Sequence, residues 1–368
     1  MVANKTILLL APIEGNGGIV SWAKNYLANY DNNKFNLHIV GVSKRRSKIK
    51  EATFFRRVFD GFLDMCSAYR DVMITIKKMN VEILHTTTSG SLGTLRDYLI
   101  GRLCKRKGIK TIMHCHYGCI SDDYTKNTPL GWLLRLTIRQ YNQIWVLDSK
   151  SEKFLKANIG NKVQIHIAPN FIDIPKECNT SPKKYNRVAF VGNLIPSKGL
   201  YETVEAIASM NNNTTLFIAG PGPDDVVNNI KEIAGDKLGK NICVLGSLPN
   251  SQAVELIKSV DIISLPSYYP WEAFPISILE AMSFGKMVIS TNRAAIPDML
   301  TSVDGSLCGM LVEERSVDDV RDAIIWCQEH CEEADMMCQK AYEKVCTFYS
   351  TDIILQKYSE LYRLLLSI

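Results

Sequence analysis

Two glutamates eight positions apart, Glu272 and Glu280, stand in the stretch DIISLPSYYPWEAFPISILEAMSFGKMVIS, residues 261–290. Carboxylates accept hydrogen bonds from vicinal hydroxyls. Glu272 falls in a loop with Pro266, Ser267 and Pro270, and Glu280 on a helix that Pro275 opens. A helix start offers unpaired N–H groups and the positive end of a dipole, which together make a seat for phosphate. Hydroxyl readers beside a phosphate seat suit a sugar joined to a nucleotide.

The elements that hold these groups follow from local pattern. The run Asp261–Leu265 reads as a buried strand. Pro275, Ile278, Leu279 and Met282 recur at helical spacing, Gly285 stops the helix, and the chain from Lys286 to Ser290 is the next strand. This is a β-α-β unit with its loop at the carboxyl end of a strand, where open α/β sheets bind ligands. A similar layout opens the chain. Thr6–Pro12 is a strand, then come Glu14-Gly15-Asn16-Gly17-Gly18 and a helix from about Ile19 to Tyr30. The glycines lack dinucleotide or P-loop spacing, so neither a dinucleotide nor ATP is favoured. The strand Lys110–His116 ends in His114-Cys115-His116, whose histidines share one face. No second Cys/His cluster completes a zinc site, so the alternatives are a ligand-facing histidine and a satisfied buried one.

A chain of 368 residues suits two α/β domains. No apolar run is long enough to span a bilayer, the start reads as a strand instead of a signal peptide, and eleven scattered cysteines fit reduced thiols. These features together predict a cytoplasmic protein. The formal net charge is +5, with the basic residues concentrated in residues 1–170. An anionic partner surface is therefore expected, while no nucleic-acid motif is present. Lys44, Arg45, Arg46 and Lys48, followed by Phe54 and Phe55, form a basic aromatic segment suited to anionic lipid. The competing reading is a solvated basic face with inward-packed aromatics.

The E-x₇-E spacing, the preceding Pro-Ser and the LEAM-x-x-G around Glu280 resemble retaining glycosyltransferases of family 4, which have the GT-B fold. Pro169-Asn170-Phe171-Ile172-Asp173 is similar to that family's P-N-G-x-D joint, with Phe171 in place of glycine. Asn193 to Gly199 is similar to its G-R-x₄-K-G, with Asn193 in place of arginine and Lys198 retained. The resemblance implies an α/β chain of two facing Rossmann-like domains with a cleft between them. It puts an N-terminal acceptor-side domain at 1–170, a linker at 171–185 and a nucleotide-sugar-binding domain at 186–350. A last helix, 351–368, would cross back to the first domain.

By the same resemblance Glu272 would hold donor-sugar hydroxyls, Glu280 the ribose, and Lys198 the departing diphosphate. Asn193, Phe274, Ile276 and Ser277 would line the nucleotide sugar, and Gly17 and Gly18 would face its diphosphate. His116, with His114 as the fallback, would face the sugar. The implied reaction moves a hexose from a nucleotide diphosphate sugar, UDP favoured, to a hydroxyl of a lipid-linked or oligosaccharide acceptor. It retains the anomeric configuration and needs no cofactor; with no D-x-D pair, no metal is expected. The protein would lie peripherally on the inner face of the cell membrane. An epimerase on the same fold and a non-catalytic sugar-nucleotide-binding subunit are the alternatives.

Overall fold

The computed structural model describes residues 5–15, 17–31, 35–42, 54–91, 93–175 and 184–367. Lys44, Arg45, Arg46 and Lys48 lie outside the described residues, and so do the side chains of Phe54 and Phe55. The chain forms two compact units: Met1–Asn170 with Ile354–Ile368, and Phe171–Ile353.

The first unit alternates strands and helices: β1 (Thr6–Ala11), α1 (Gly18–Asn29), β2 (Asn36–Gly41), α2 (Phe54–Lys78), β3 (Ile83–Thr88), α3 (Gly93–Arg106) and β4 (Lys110–Cys115). Then follow α4 (Ile120–Thr125), α5 (Pro129–Ile138), β5 (Gln143–Val146), α6 (Ser149–Ile159) and β6 (Gln164–Ile167). The six strands form a parallel sheet in the order β2-β1-β3-β4-β5-β6. Its central strands are buried on both faces, as helices on either side of a parallel sheet require. Asp148 caps α6, its carboxylate accepting from the Ser151 N–H at 2.7 Å.

The second unit repeats the plan: β7 (Arg187–Val191), α7 (Leu200–Ser209), β8 (Thr215–Ala219), α8 (Asp224–Ala234), β9 (Ile242–Gly246), α9 (Asn250–Ser259), β10 (Ile262–Leu265), α10 (Ile276–Ser283) and β11 (Met287–Thr291). It closes with α11 (Ile296–Leu300), β12 (Met310–Val312), α12 (Val317–Glu329) and α13 (Cys331–Phe348), and α14 (Thr351–Ser367) ends the chain. The sheet is again parallel, in the order β12-β11-β10-β7-β8-β9.

Pro275 sits at the cap of α10, one position before the helix proper, and Ile278, Leu279 and Met282 are buried beneath it. Behind α10 packs α13, a helix with little amphipathic signature. Its buried face is Ala334, Cys338, Ala341 and Val345, so small residues replace the large aliphatics that mark an amphipathic helix. Tyr185, the last residue of the stretch read as a linker, is fully buried, and its hydroxyl lies 2.6 Å from Asp335 Oδ1.

Candidate functional site

In the second sheet the chain runs outward from β7 through β8 to β9, then returns to the other side of β7 with β10. The loops after β7 and β10 therefore part in opposite directions and leave a crevice at the carboxyl ends of these strands. Lys198 lies in the first loop and Glu272 in the second. The Lys198 ammonium is 3.0 Å from Glu272 Oε2. Ser267 donates its hydroxyl to the same oxygen at 3.0 Å. Oε1 of Glu272 has no hydrogen bond among the described residues and remains available to an incoming hydroxyl.

The loops are held together by backbone. The Tyr268 N–H donates to the Ser197 carbonyl at 2.8 Å. Gly199 has a φ of +76°, and a Cβ there would come within 2.3 Å of the Pro266 carbonyl oxygen. A side chain at 199 would push the loops apart and separate Lys198 from Glu272. The Tyr269 ring lies under the Lys198 ammonium at 5.7 Å, and Arg293 Nε donates to the Tyr269 carbonyl at 2.9 Å.

Glu280 contrasts with Glu272. Its carboxylate makes no hydrogen bond among the described residues, and burial raises its pKa to about 7. The residue as a whole stays partly accessible, so the carboxyl is poor in water yet reachable. A ligand hydroxyl pair would supply the hydrogen bonds that it lacks. Ile276 and Ser277 occupy the first turn of α10, where N–H groups have no intrahelical acceptor. The Phe274 ring is turned inward, 5.3 Å from that of Tyr349, which leaves its backbone as the part able to meet a ligand. Asn193 is exposed, and its amide has no hydrogen-bond partner among the described residues.

In the first unit the strand order reverses between β1 and β3. Gly17 and Gly18 follow β1 and are exposed, Gly17 with a φ of +142° that an L side chain rarely adopts. The two histidines at the end of β4 sit together, ring centroids 4.1 Å apart, because strand alternation puts them on one face. Among the described residues no third and fourth ligand gathers around them.

The roles of these histidines diverge. His114 Nε2 lies 2.8 Å from the Ala168 carbonyl, which can only accept, so Nε2 carries the proton. His114 Nδ1 then accepts from His85 Nε2 at 3.3 Å, His85 Nδ1 accepts from the Tyr362 hydroxyl at 2.7 Å, and Tyr26 donates to Tyr362 at 2.9 Å. All four side chains are fully buried, and burial lowers the pKa of His114 to about 3 and that of His85 well below the usual value. His114 is consumed by structure. His116 packs 4.8 Å from the Trp22 ring, and its buried Nε2 has no hydrogen-bond partner among the described residues. Burial, then His114 and His85, hold its pKa well below the ordinary range, so the ring is neutral.

Reading the sequence missed Ser267 as a holder of Glu272, Arg293 as a brace, and the partners His85, Trp22 and Tyr362. The signal for Arg293 was its place just beyond β11, at the carboxyl edge that also carries Lys198 and Glu272. The histidine partners had no local signal.

Residues 172–344 match the family model of glycosyl transferases group 1. The chain is 23% identical over 312 residues to an uncharacterized 41.2 kDa protein in the cps region of Klebsiella pneumoniae, covering 80% of this chain and 83% of that one. It is 25% identical over 285 residues to the Escherichia coli UDP-Gal:alpha-D-GlcNAc-diphosphoundecaprenol alpha-1,3-galactosyltransferase, covering 68% and 67%. Among solved structures, the sucrose-phosphate synthase of Thermosynechococcus elongatus superposes with a TM-score of 0.75 at 14% identity, covering 99% of each chain. Anabaena HepE in complex with UDP and glucose superposes with a TM-score of 0.71 at 16% identity, covering 98% and 99%. These likenesses extend the fold over both units. Together the findings support a glycosyltransferase with the GT-B fold, in which residues 172–344 match glycosyl transferases group 1.

Proposed function

We propose that the protein transfers a hexose from a nucleotide diphosphate sugar to a hydroxyl of a lipid-linked or oligosaccharide acceptor, with retention at the anomeric carbon. The observation that carries this reading is the Lys198–Glu272 pair at the β7/β10 crevice, with the unpartnered carboxylate of Glu280 on the helix that follows. As the bond from the sugar to the diphosphate breaks, negative charge grows on the departing phosphate. Lys198 and the first-turn N–H groups of α10 stabilise that charge. Glu272 holds sugar hydroxyls through its open oxygen, and Glu280 holds the ribose. Arrival of the diphosphate lets Lys198 exchange one anionic partner for another, so no charge is left buried and unpaired. The lysine supplies the cation, and the reading uses neither a metal nor a cofactor.

UDP is the favoured nucleotide: the Escherichia coli relative is named for a UDP-Gal donor, and the Anabaena structure holds UDP. The lipid-linked acceptor is supported by that same relative's diphosphoundecaprenol name. Peripheral membrane contact is supported by α2, where Phe59 and Phe62 are 60% and 55% exposed beside the exposed Arg56. Among the described residues no helix is long and apolar enough to cross a membrane.

Product analysis tests the reading. The protein is incubated with UDP-, GDP- and ADP-linked sugars and a short hydroxyl acceptor, and the product's anomeric configuration is read by NMR. Free nucleoside diphosphate with an α-glycoside from an α-donor supports it. An isomerised sugar nucleotide formed without acceptor identifies an epimerase instead, and binding without turnover identifies a binding subunit.

A further inference from the structure

A cavity of about 640 Å³ lies wholly within the first unit, along β6 and between α6 and α14. It is separate from the glycine turn after β1 and from His116 after β4, because β6 is the edge strand of the sheet. Its lining includes Lys156 and Glu152 of α6, His166 of β6, and Lys357 and Leu361 of α14.

The charge in this cavity is unbalanced. Glu152 is already paired with Lys156 at 2.9 Å. The Lys357 ammonium has no hydrogen bond or ion pair among the described residues, although burial lowers its pKa and Glu152 only partly offsets this. His166 Nε2 is buried without a hydrogen-bond partner among the described residues. Backbone adds donors. Gln164 and Ala168 turn their N–H groups toward β5, donating to the Asn142 and Val146 carbonyls at 3.0 and 2.7 Å. By strand alternation the N–H groups of Ile165 and Ile167 face the open edge, where no further strand pairs among the described residues. A volume of this size is typical of a small-molecule site. Unpaired ammonium, edge N–H groups and a net positive lining call for an oxyanion with several acceptors.

The geometry points to a second ligand site here, which takes a small phosphate-bearing anion. Lys357 is its principal contact, and the amides of Ile165 and Ile167 are its backbone donors. Occupancy would join α14 to the sheet edge through the ligand, since Lys357 and β6 belong to different elements. The site is independent of the transfer reaction and stands whether or not that reading holds.

The test uses isotope-labelled full-length protein carrying Lys198→Ala, which weakens the phosphate seat of the other unit. Backbone amide shifts of residues 160–167 are followed during titration with inorganic phosphate, with chloride at matched ionic strength as the control. Saturable shifts with phosphate and none with chloride are expected. Adding Lys357→Met, which keeps the aliphatic stem, should weaken binding about tenfold or more, since it deletes a charge-assisted hydrogen bond. Lys357→Arg should retain it. Absence of saturable shifts at 160–167, equal shifts with chloride, or a Lys357→Met variant that binds phosphate as well as its parent would each overturn the site.

Discussion

The Lys198 ammonium and Glu272 Oε2 lie 3.0 Å apart, although the two residues are 74 positions apart in the chain. Both are largely screened from water, with side chains 17% and 8% exposed. The unliganded site therefore holds its cation and its hydroxyl-binding carboxylate in one pair, and Ser267 fixes the carboxylate from the other side. Substitution of either partner should disturb both, in different ways.

Lys198→Ala should lower turnover roughly 10²-fold or more, because the charge that it neutralises grows only as the sugar departs. The substrate KM should change less. Steady-state kinetics with the preferred donor reads both parameters, and near-normal kcat in a folded variant would remove Lys198 from leaving-group stabilisation.

Glu272→Ala should abolish most turnover while the free nucleoside diphosphate still binds, since Glu272 is assigned to the sugar. Ser267→Ala, which removes one hydrogen bond to that carboxylate, should produce a weaker version of the same effect, about 1 kcal/mol in kcat/KM. Calorimetry with UDP, set beside the kinetics, separates sugar contacts from nucleotide contacts.

Glu280→Gln should make the unliganded protein more stable at alkaline pH and its nucleotide binding weaker. The folded pKa of about 7 lies above the ordinary value of 4.5. Between these values the folded state holds the proton more tightly than the unfolded state. Stability therefore falls as pH rises from about 4.5 to 7 and stays reduced above that window. Glutamine cannot ionise, so the variant should gain up to about 3 kcal/mol at pH 8 and little at pH 4.5. Denaturant titration at both pH values checks the sign. Loss of the ribose hydrogen bonds should cost about 2 kcal/mol of UDP affinity, since they go to a charged group.

Tyr362→Phe should destabilise the first unit by about 1–3 kcal/mol, because it leaves the buried Tyr26 hydroxyl and His85 Nδ1 without their partner. Packing is otherwise kept. Urea unfolding measures the loss, and an unchanged midpoint would show that the hydroxyl chain is dispensable.

Phe59→Ser with Phe62→Ser should weaken flotation with anionic liposomes, and Lys44, Arg45, Arg46 and Lys48 to Ser should weaken it by about 1 kcal/mol per cation at low salt. Salt should reverse the second effect more than the first. Wild-type protein that fails to float at low salt would show α2 to be a solvated helix.

The local elements were legible in the chain. β10, the loop after it, α10 with Pro275 at its cap, and β11 all followed from apolar periodicity and turn residues within thirty positions. So did the pairing of His114 and His116 on one strand face. The two-domain parallel-sheet fold was implied by the family resemblance, while the pattern of residues itself placed only individual strand–helix–strand units, the crossovers that parallel strands need. Periodicity reached its limit at α13, whose buried face of alanine and cysteine carries no strong signal.

What the tertiary structure decided was pairing and burial. β10 returns beside β7, and only that adjacency brings Glu272 to Lys198. The sequence marks Glu280 as a hydroxyl reader on a helix, but only the packing around α10 removes water from its carboxyl. His85 meets Tyr362 across 277 residues, and this contact, with its link to His114, occupies both of those rings, while His116 Nε2 has no hydrogen-bond partner among the described residues. Helix and strand formation depends on neighbours a few residues away, so sequence specifies it directly. Solvent exclusion and ion pairing depend on groups contributed from distant parts of the chain, so they exist only once the fold has brought those groups together.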